Sequence, residues 1–169
     1  RHDHDGMNNT RLWIDEEPTP EDIIEQLPEN LDDYDAEVVF CGFGEPTYNL
    51  DTLDEVASFL HCLDKTTRIN TNGQANLIHG EDVSDIIATS CDVINVSLNE
   101  CTAAKYQQHC KSIYGEKAYD ALLEFAELCK KRGGKVVFSV VDCIGTADVE
   151  ECRKIADKLG IPLRVRIKE

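Results

Sequence analysis

Short apolar runs alternate along the chain with segments in which apolar residues recur every three or four positions. The runs are rich in β-branched and aromatic residues, which is typical of strands. Five strands are predicted, at 37–41, 67–70, 92–98, 135–141 and 163–167. Helical spacing predicts helices near 18–27, 50–63, 81–88, 102–109, 116–131 and 147–159. Strands that alternate with helices predict parallel pairing through right-handed crossovers, so the fold class is α/β.

Three of the predicted strands carry one polar and one apolar face, because successive side chains point to opposite sides of a strand. The polar positions are Arg68, Asn70, Asn72, Asn95, Ser97, Asn99, Arg164 and Arg166. A covered polar face has to be hydrogen bonded or wet, which favours an interior that holds a ligand. A solvated sheet face would alternate in the same way, but the intervening helices favour a covered face because parallel strands normally have both faces buried.

The most informative segment is 37–47, where an apolar strand ends in Gly42, Gly44, Glu45 and Pro46. The two glycines let a ligand approach the backbone, and ligands of α/β folds bind at the carboxyl ends of the strands. A carboxylate here, for which no structural partner is evident in the sequence, therefore indicates a ligand contact. The alternative is an ordinary strand-to-helix turn that ends in a helix-start Glu.

This segment resembles the Gly-Gly-Glu-Pro motif of radical S-adenosylmethionine (SAM) enzymes. Blocks that begin at Arg68, Asn95 and Leu159 extend the resemblance over most of the chain, and their order looks like that of the subgroup associated with TatD-type hydrolases. The resemblance implies a partial (β/α)6 TIM-like barrel, with SAM and a [4Fe–4S] cluster as cofactors. In such enzymes the reduced cluster cleaves SAM to a 5′-deoxyadenosyl radical, which abstracts hydrogen from a substrate.

The resemblance and the strand-end positions together indicate the cofactor contacts. Glu45 is expected to pair with the ammonium group of SAM, while the backbone around Phe43 lies close to the ligand. The other expected contacts are Gly42, Gly44, Pro46, Asn70, Asn72, Ser97, Asn99, Asp142 and Arg166. Asp142 could instead cap the following turn, and Arg164 and Arg166 could instead pair with the chain's own acids. No catalytic residue is assigned.

One feature departs from the family. The family holds its cluster with a Cys-x3-Cys-x2-Cys loop after the first strand, whereas the eight cysteines of this chain are nowhere closer than nine residues apart. Close spacing is what lets one loop surround a cluster. Residues 1–169 are therefore expected to form a single radical SAM-type domain that lacks the first strand and the cluster loop. The sheet edge left exposed would favour self-association or a partner at that edge.

Charge, cysteine content and hydrophobicity limit the partners and the cellular compartment that are expected. The formal net charge is −16, and residues 1–64 hold 18 acidic and 2 basic residues. This acidity disfavours direct binding of nucleic-acid phosphates. The cysteines are expected to be reduced and mostly buried, with Cys41 and Cys129 among apolar residues, which fits a cytoplasmic protein. No apolar run is long enough to span a bilayer, so no membrane association is expected.

Two alternatives remain. His2 and His4, each followed by Asp, resemble a metal-ligand pair, but the neighbouring Gly6 and Asn8 favour a mobile loop and no further ligand set is evident. No metal site is therefore predicted within the chain. The second alternative is a binding module: a clusterless relative that holds a nucleoside-like ligand, or a scaffold for a TatD-type hydrolase.

Overall fold

The computed structural model describes residues 17–33, 37–42 and 44–168. This part of the chain contains five strands, with seven helices before and between them. The strands are β1 (Val38–Phe40), β2 (Thr67–Thr71), β3 (Val93–Ser97), β4 (Lys135–Val141) and β5 (Leu163–Arg166). The helices are α1 (Pro20–Glu25), α2 (Leu50–Cys62), α3 (Ala75–His79), α4 (Ser84–Ser90), α5 (Ala103–Cys110), α6 (Lys117–Lys131) and α7 (Thr146–Leu159). Short 3-10 helices cover Leu31–Asp33, Pro46–Tyr48 and Asp142–Ile144. The pair His2 and His4 lies outside the described residues.

All five strands are parallel, and their order in the sheet, β1-β2-β3-β4-β5, is their order in the chain. This confirms the predicted α/β class with parallel pairing. Within the described residues β1 and β5 each have a single neighbouring strand, so the sheet is open there. A parallel sheet of this order is consistent with a partial barrel.

The two faces of the sheet differ as the alternation predicts. The apolar face is buried under the helices and includes Ile69, Ile94, Val96, Phe138 and Val140. Helix α6 supplies a large part of the covering layer through Leu122, Phe125, Ala126 and Cys129. On the opposite face the side chains of β2 and β3 are only half-buried. Burial on one face fixes the strand register, because a slip of one residue would exchange the faces.

Helix α3 is an element that sequence analysis missed. It spans five residues, from Ala75 to His79, and ends at Gly80, which has a φ of 72°. Five residues make little more than one helical turn, too few for a 3.6-residue period to be recognisable. Its place after β2 brings the segment from Asn72 to Gln74 against the edge of the sheet.

The cysteines are more exposed than expected. Cys91, Cys129 and Cys152 are buried, but Cys41, Cys62 and Cys143 are exposed, and all eight cysteines are free of disulfide bonds. The expectation that most are buried is wrong, notably for Cys41, because β1 ends at Phe40 and Cys41 lies beyond the paired strand. No helix in the described segments is long and apolar enough to cross a membrane.

Candidate active site at the carboxyl edge of the sheet

Glu45 lies just beyond β1 and is tied to the end of β2. Its Oε1 accepts hydrogen bonds from the hydroxyls of Thr71 (2.6 Å) and Thr47 (3.0 Å), and from the Thr47 amide (3.3 Å). Its Oε2 accepts one from the backbone amide of Asn72, at 2.8 Å. The sequence shows no partner for this carboxylate, but the fold supplies Thr47, Thr71 and Asn72. The sequence could not show these bonds because Thr71 and Asn72 lie more than twenty-five residues away.

The hydrogen bonds leave part of the carboxylate available. A carboxylate oxygen can accept two hydrogen bonds, and Oε2 has a single donor among the described residues. Gly42 and Gly44, which precede Glu45, are exposed, and a Cβ atom added to either would meet no described atom within 4 Å. Protein packing in the described segments therefore does not require glycine here. Among the described residues, none occupies the space next to Gly42 and Gly44, on the approach to Glu45.

The turn after β2 fixes where the Asn72 amide points. Gly73 has a φ of 74°, a conformation that favours glycine, and its amide donates to the Thr71 hydroxyl at 3.0 Å. The turn also packs tightly, since a Cβ atom on Gly73 would come within 2.8 Å of the Leu122 Cβ atom. The Asn72 side-chain oxygen accepts from the Gln74 amide at 2.8 Å. Asn72 is thus held against Glu45 by its own turn and by α6.

Asn70 and Ser97 form the polar middle of the half-buried face. In register, Asn70 lies beside Asn95 and Ser97 beside Ser139. The Asn95 side chain donates to the Ser139 hydroxyl at 3.2 Å. The Asn70 and Ser97 side chains have no hydrogen-bond partner in the described part of the chain. Half-buried polar groups without partners are suited to binding a polar ligand.

Asn99 follows β3 in a left-handed conformation, with a φ of 60°. Its backbone amide donates to the Ser139 carbonyl (3.3 Å), and its side-chain amide donates to the Cys110 sulfur (3.6 Å). Asn99 and Asn72 line one cavity of about 280 Å³. The structure therefore brings Glu45, Asn72 and Asn99 to one part of the carboxyl edge.

Two expected contacts lie further along the sheet. Asp142 follows β4, is exposed, and accepts from the Lys168 amide at 2.9 Å, so it fixes the chain beyond β5 instead of capping its own turn. Arg164 and Arg166 on β5 are exposed and form no ion pair with any described acid. Pro46 opens the 3-10 helix that follows Glu45. Phe43 lies outside the described residues.

Sequence analysis missed the residues that hold the Glu45 carboxylate and the Asn72 turn in place. Thr47 and Thr71 are buried and bind the Glu45 carboxylate, and Gln74 is buried at the end of the Asn72 turn. The sequence did contain one indication. Thr71 ends a strand just before Asn72 and Gly73, where a threonine hydroxyl can form a hydrogen bond with a neighbouring turn. Gln74 gave no comparable signal, since its partners Tyr106 and Ser112 come from distant segments.

The described residues do not fit an iron–sulfur cluster. Among residues 17–33, 37–42 and 44–168 there is no group of three His, Cys, Asp or Glu side chains that could hold a metal ion. Burial raises the pKa of the Cys91, Cys129 and Cys152 thiols to about 12, so these thiols stay protonated near neutral pH. Cluster ligands are thiolates from cysteines that converge on one point, and no three cysteines of the described segments do so.

This leads to a prediction for cluster assembly. The purified 169-residue chain, incubated with iron, sulfide and a reductant, should not acquire a stoichiometric [4Fe–4S] cluster, because its cysteines do not converge. Iron content, the visible absorption band of the cluster and the EPR spectrum of the reduced sample measure this. A cluster that disappears when Cys101 or Cys110, both partly exposed, is replaced by Ser would contradict the prediction.

Comparison with known proteins identifies the family. The family model described as "Radical SAM superfamily" matches residues 5–159. The chain belongs to the radical SAM superfamily. The matched range contains Glu45, Asn72 and Asn99, so the carboxyl edge described above lies within the family domain. No curated protein matches the chain.

Solved structures of radical SAM proteins share the fold. A domain of pyruvate-formate lyase-activating enzyme from Bacteroides vulgatus has a TM-score of 0.56 and 11% identity, over 76% of this chain and 98% of that one. TYW1 with a lysine-pyruvate adduct bound has a TM-score of 0.56 and 17% identity, over 79% and 42%. A radical SAM methyltransferase from Sphaerobacter thermophilus has a TM-score of 0.53 and 16% identity, over 79% and 51%. At these identities the likeness concerns the fold alone, and the chain spans about half the length of the last two.

Proposed function

We propose that this chain is the SAM-binding part of a radical SAM enzyme. Membership of the superfamily supports a radical SAM function. The observation that carries the proposal is the Glu45 carboxylate, which is held at the carboxyl edge of a parallel sheet with acceptor capacity left on Oε2 and open space at Gly42 and Gly44. In this superfamily a reduced [4Fe–4S] cluster would supply the electron that cleaves SAM to a hydrogen-abstracting radical, and the residues of this chain would bind, orient and shield SAM.

The described side chains suit the three polar parts of SAM. Glu45 Oε2 would accept a charge-assisted hydrogen bond from the ammonium group, with the backbone of Gly44 alongside. Asn70 and Ser97, which have no side-chain partner in the described segments, would bind the carboxylate or the ribose hydroxyls. Asn99, which follows β3, would contact SAM from that end of the site. Each is a polar group that a ligand would satisfy, which favours binding over solvent exposure.

The remaining expected contacts keep supporting roles in the proposal. Gly42 and Phe43 would contribute backbone contact on the approach to Glu45, and Pro46 would fix the turn that follows it. Asp142 and Arg166 lie at the ends of β4 and β5, so they would contact the part of the ligand or substrate furthest from Glu45. Arg166 would there neutralise an anionic group.

Titration of the 15N-labelled chain with SAM tests the proposal. A chain of 19.0 kDa is suited to amide NMR, which detects even weak binding. We expect saturable shifts at Gly44, Asn72, Ser97 and Asn99. 5′-Methylthioadenosine lacks the amino-acid part, so it should leave Gly44 and Asn72 nearly unchanged and shift Ser97 or Asn99, whichever of them contacts the ribose. Shifts confined to other surfaces, or no saturable shifts with millimolar SAM, would reject the proposal.

A second function is supported by the dispersed cysteines. Since the described residues offer no cluster ligands, the chain could bind a nucleoside-like ligand without radical chemistry, or serve as a scaffold for a TatD-type hydrolase. Under this proposal methylthioadenosine would bind as tightly as SAM, because the amino-acid part would have no role. The relative affinity of the two ligands therefore separates SAM binding from nucleoside binding, and a scaffold would bind neither ligand.

Further proposals concern partners and location. The β1 edge has no second neighbour among the described strands, and we propose that it mediates self-association or holds a partner segment. The acidic first third of the chain argues against direct nucleic-acid binding. Free cysteines, three of them exposed, fit a reducing compartment, and we propose the cytoplasm.

A further inference from the structure

A cavity lies beside the candidate SAM site and is only partly used by it. It has a volume of about 280 Å³, close to the smaller ligand sites of proteins. Asn72 and Asn99 form the wall that it shares with the candidate site. The other walls come from the 3-10 helix after Glu45, from α3, and from the end of α5 with the segment that follows it.

Three of the eleven described residues that line the cavity are tyrosines. Tyr48, Tyr106 and Tyr114 contribute to its walls, together with the aliphatic side chains of Ile78 and Ile113. Tyr48 is 61% exposed, whereas Tyr106 is buried and hydrogen bonded to the Gln74 side chain. Rings on several sides bind flat molecules well, because ring faces and edges pack closely against a planar surface.

The charge of the cavity is opposite to that of the chain. Asp and Glu make up 33 of the 169 residues, yet no lining residue is acidic. Lys111 lines the cavity, is exposed, and has no ion-pair partner in the described segments. Glu100, which is close by in sequence, is occupied by His109, with its Oε1 atom 2.8 Å from the His109 Nδ1 atom. Lys111 is therefore the one charged side chain among the described residues that line the cavity. Burial raises the pKa of Tyr106 and of Cys110 on its walls, and the Glu45 and Glu100 carboxylates lie near enough to add to this rise.

The cavity is preformed by its own hydrogen bonds. The Ser112 hydroxyl donates to the Gln74 side-chain oxygen at 2.8 Å, and the Gln74 side-chain amide donates to the Tyr106 hydroxyl at 2.9 Å. Non-glycine residues with positive φ are rare, and two of the three in the described residues, Asn99 and Lys111, line this cavity. Lys111 adopts this conformation as the C-cap of α5, where its amide donates to the Gln107 carbonyl, and Asn99 adopts it just after β3.

We infer that this cavity binds a small planar carboxylate, such as a single aromatic ring that carries one carboxyl group. The tyrosine rings would pack against the planar ring of the ligand, and the Lys111 ammonium group would pair with its single carboxylate. A phosphate group carries more charge than a carboxylate and is usually held by several donors, from arginine, lysine or a nest of backbone amides, whereas Lys111 supplies a single charge here. That the bound acid is a substrate of the adjacent site rests on the proposed function, whereas its binding does not.

Amide NMR with three probe molecules tests the inference. We expect benzoate to shift the amides of Lys111, Ser112 and Tyr114 saturably. Benzamide keeps the ring and removes the charge, and cyclohexanecarboxylate keeps the charge and removes the planar ring, so both should bind more weakly. Lys111→Gln should weaken benzoate binding roughly five- to tenfold, because the charge-assisted bond forms at a rim open to water. Lys131→Gln, on the exposed end of α6, is the matched control and should change nothing.

The possible outcomes separate this inference from the proposed function. Equal binding of benzoate and benzamide, or an unchanged benzoate affinity in Lys111→Gln, would overturn it. Competition between SAM and benzoate for the same amides would also overturn it, because the cavity would then belong to the cofactor. If SAM binds and benzoate does not, the inference about the cavity is wrong and the proposed function is unaffected. Benzoate binding without SAM binding would support the cavity and remove the proposed function.

Discussion

Replacing Glu45 by Gln should weaken SAM binding by about ten- to a hundredfold. Glutamine keeps the size of the side chain but removes the negative charge that faces the ligand's ammonium group. The half-buried position of Glu45 makes the loss larger than at a fully exposed site, since water screens the charge less there. The amide NMR titration with SAM measures the change.

The same substitution should have a smaller effect on stability. Glu45 accepts hydrogen bonds from two backbone amides, of Thr47 and of Asn72, on different oxygens. Glutamine retains one oxygen, so one of these amides loses its acceptor, at a cost of about 1 kcal/mol in the free energy of unfolding. Urea unfolding measures this cost and establishes that the variant is folded during the titration.

Glu55→Gln is the matched control. Glu55 is exposed on α2, so this variant should match the wild-type chain in both stability and SAM affinity. If Glu45→Gln binds SAM as tightly as the wild-type chain while losing stability, Glu45 is a purely structural residue. The contact that carries the proposed function would then be lost.

Replacing Gly73 by Ala should be strongly destabilising, by roughly 2–5 kcal/mol. Two costs combine at this position. The φ of 74° is unfavourable for alanine, and the added Cβ atom would lie 2.8 Å from the Leu122 Cβ atom and 2.9 Å from a Val96 methyl group. Neither neighbour can move freely, because Val96 and Leu122 are fully buried in the core.

Gly80→Ala separates the two costs. Gly80 has a nearly identical φ of 72°, but a Cβ atom there would meet no described atom within 4 Å. This variant should therefore lose only the conformational part, about 1–2 kcal/mol. Urea unfolding of both variants provides the comparison. Equal losses would show that the contact with Val96 and Leu122 is relieved without cost.

The fold was largely predictable because its pattern is local. The strand at 135–141 was predicted to the residue, and the polar and apolar alternation of 67–71 and 93–97 agrees with the observed burial. Runs of β-branched residues indicate strands directly. The alternation arises because successive side chains of a strand face the helix layer and the opposite side of the sheet in turn. Helix α3 was missed because a helix of five residues has no period to detect.

The site was predictable only in part, because its contacts join distant segments. Glycines and a carboxylate after a strand marked the position of Glu45. The same pattern could not reveal that Thr71 and Asn72 hold the carboxylate, since that depends on the turn after β2 packing against Leu122 of α6. Asp142 illustrates the same limit, because its partner Lys168 follows two further elements along the chain.

The strand order has a consequence for synthesis of the protein. Each strand pairs with the one made just before it, so the sheet can grow in the order in which the chain leaves the ribosome. The Glu45 carboxylate, its donors and the tyrosine-lined cavity all lie between residues 45 and 114, and Asn99 needs only the Ser139 carbonyl of β4 in addition. The Glu45 part of the ligand-binding edge can therefore assemble on the nascent chain before α7 and β5 emerge from the ribosome, whereas the contacts expected of Asp142 and Arg166 form last.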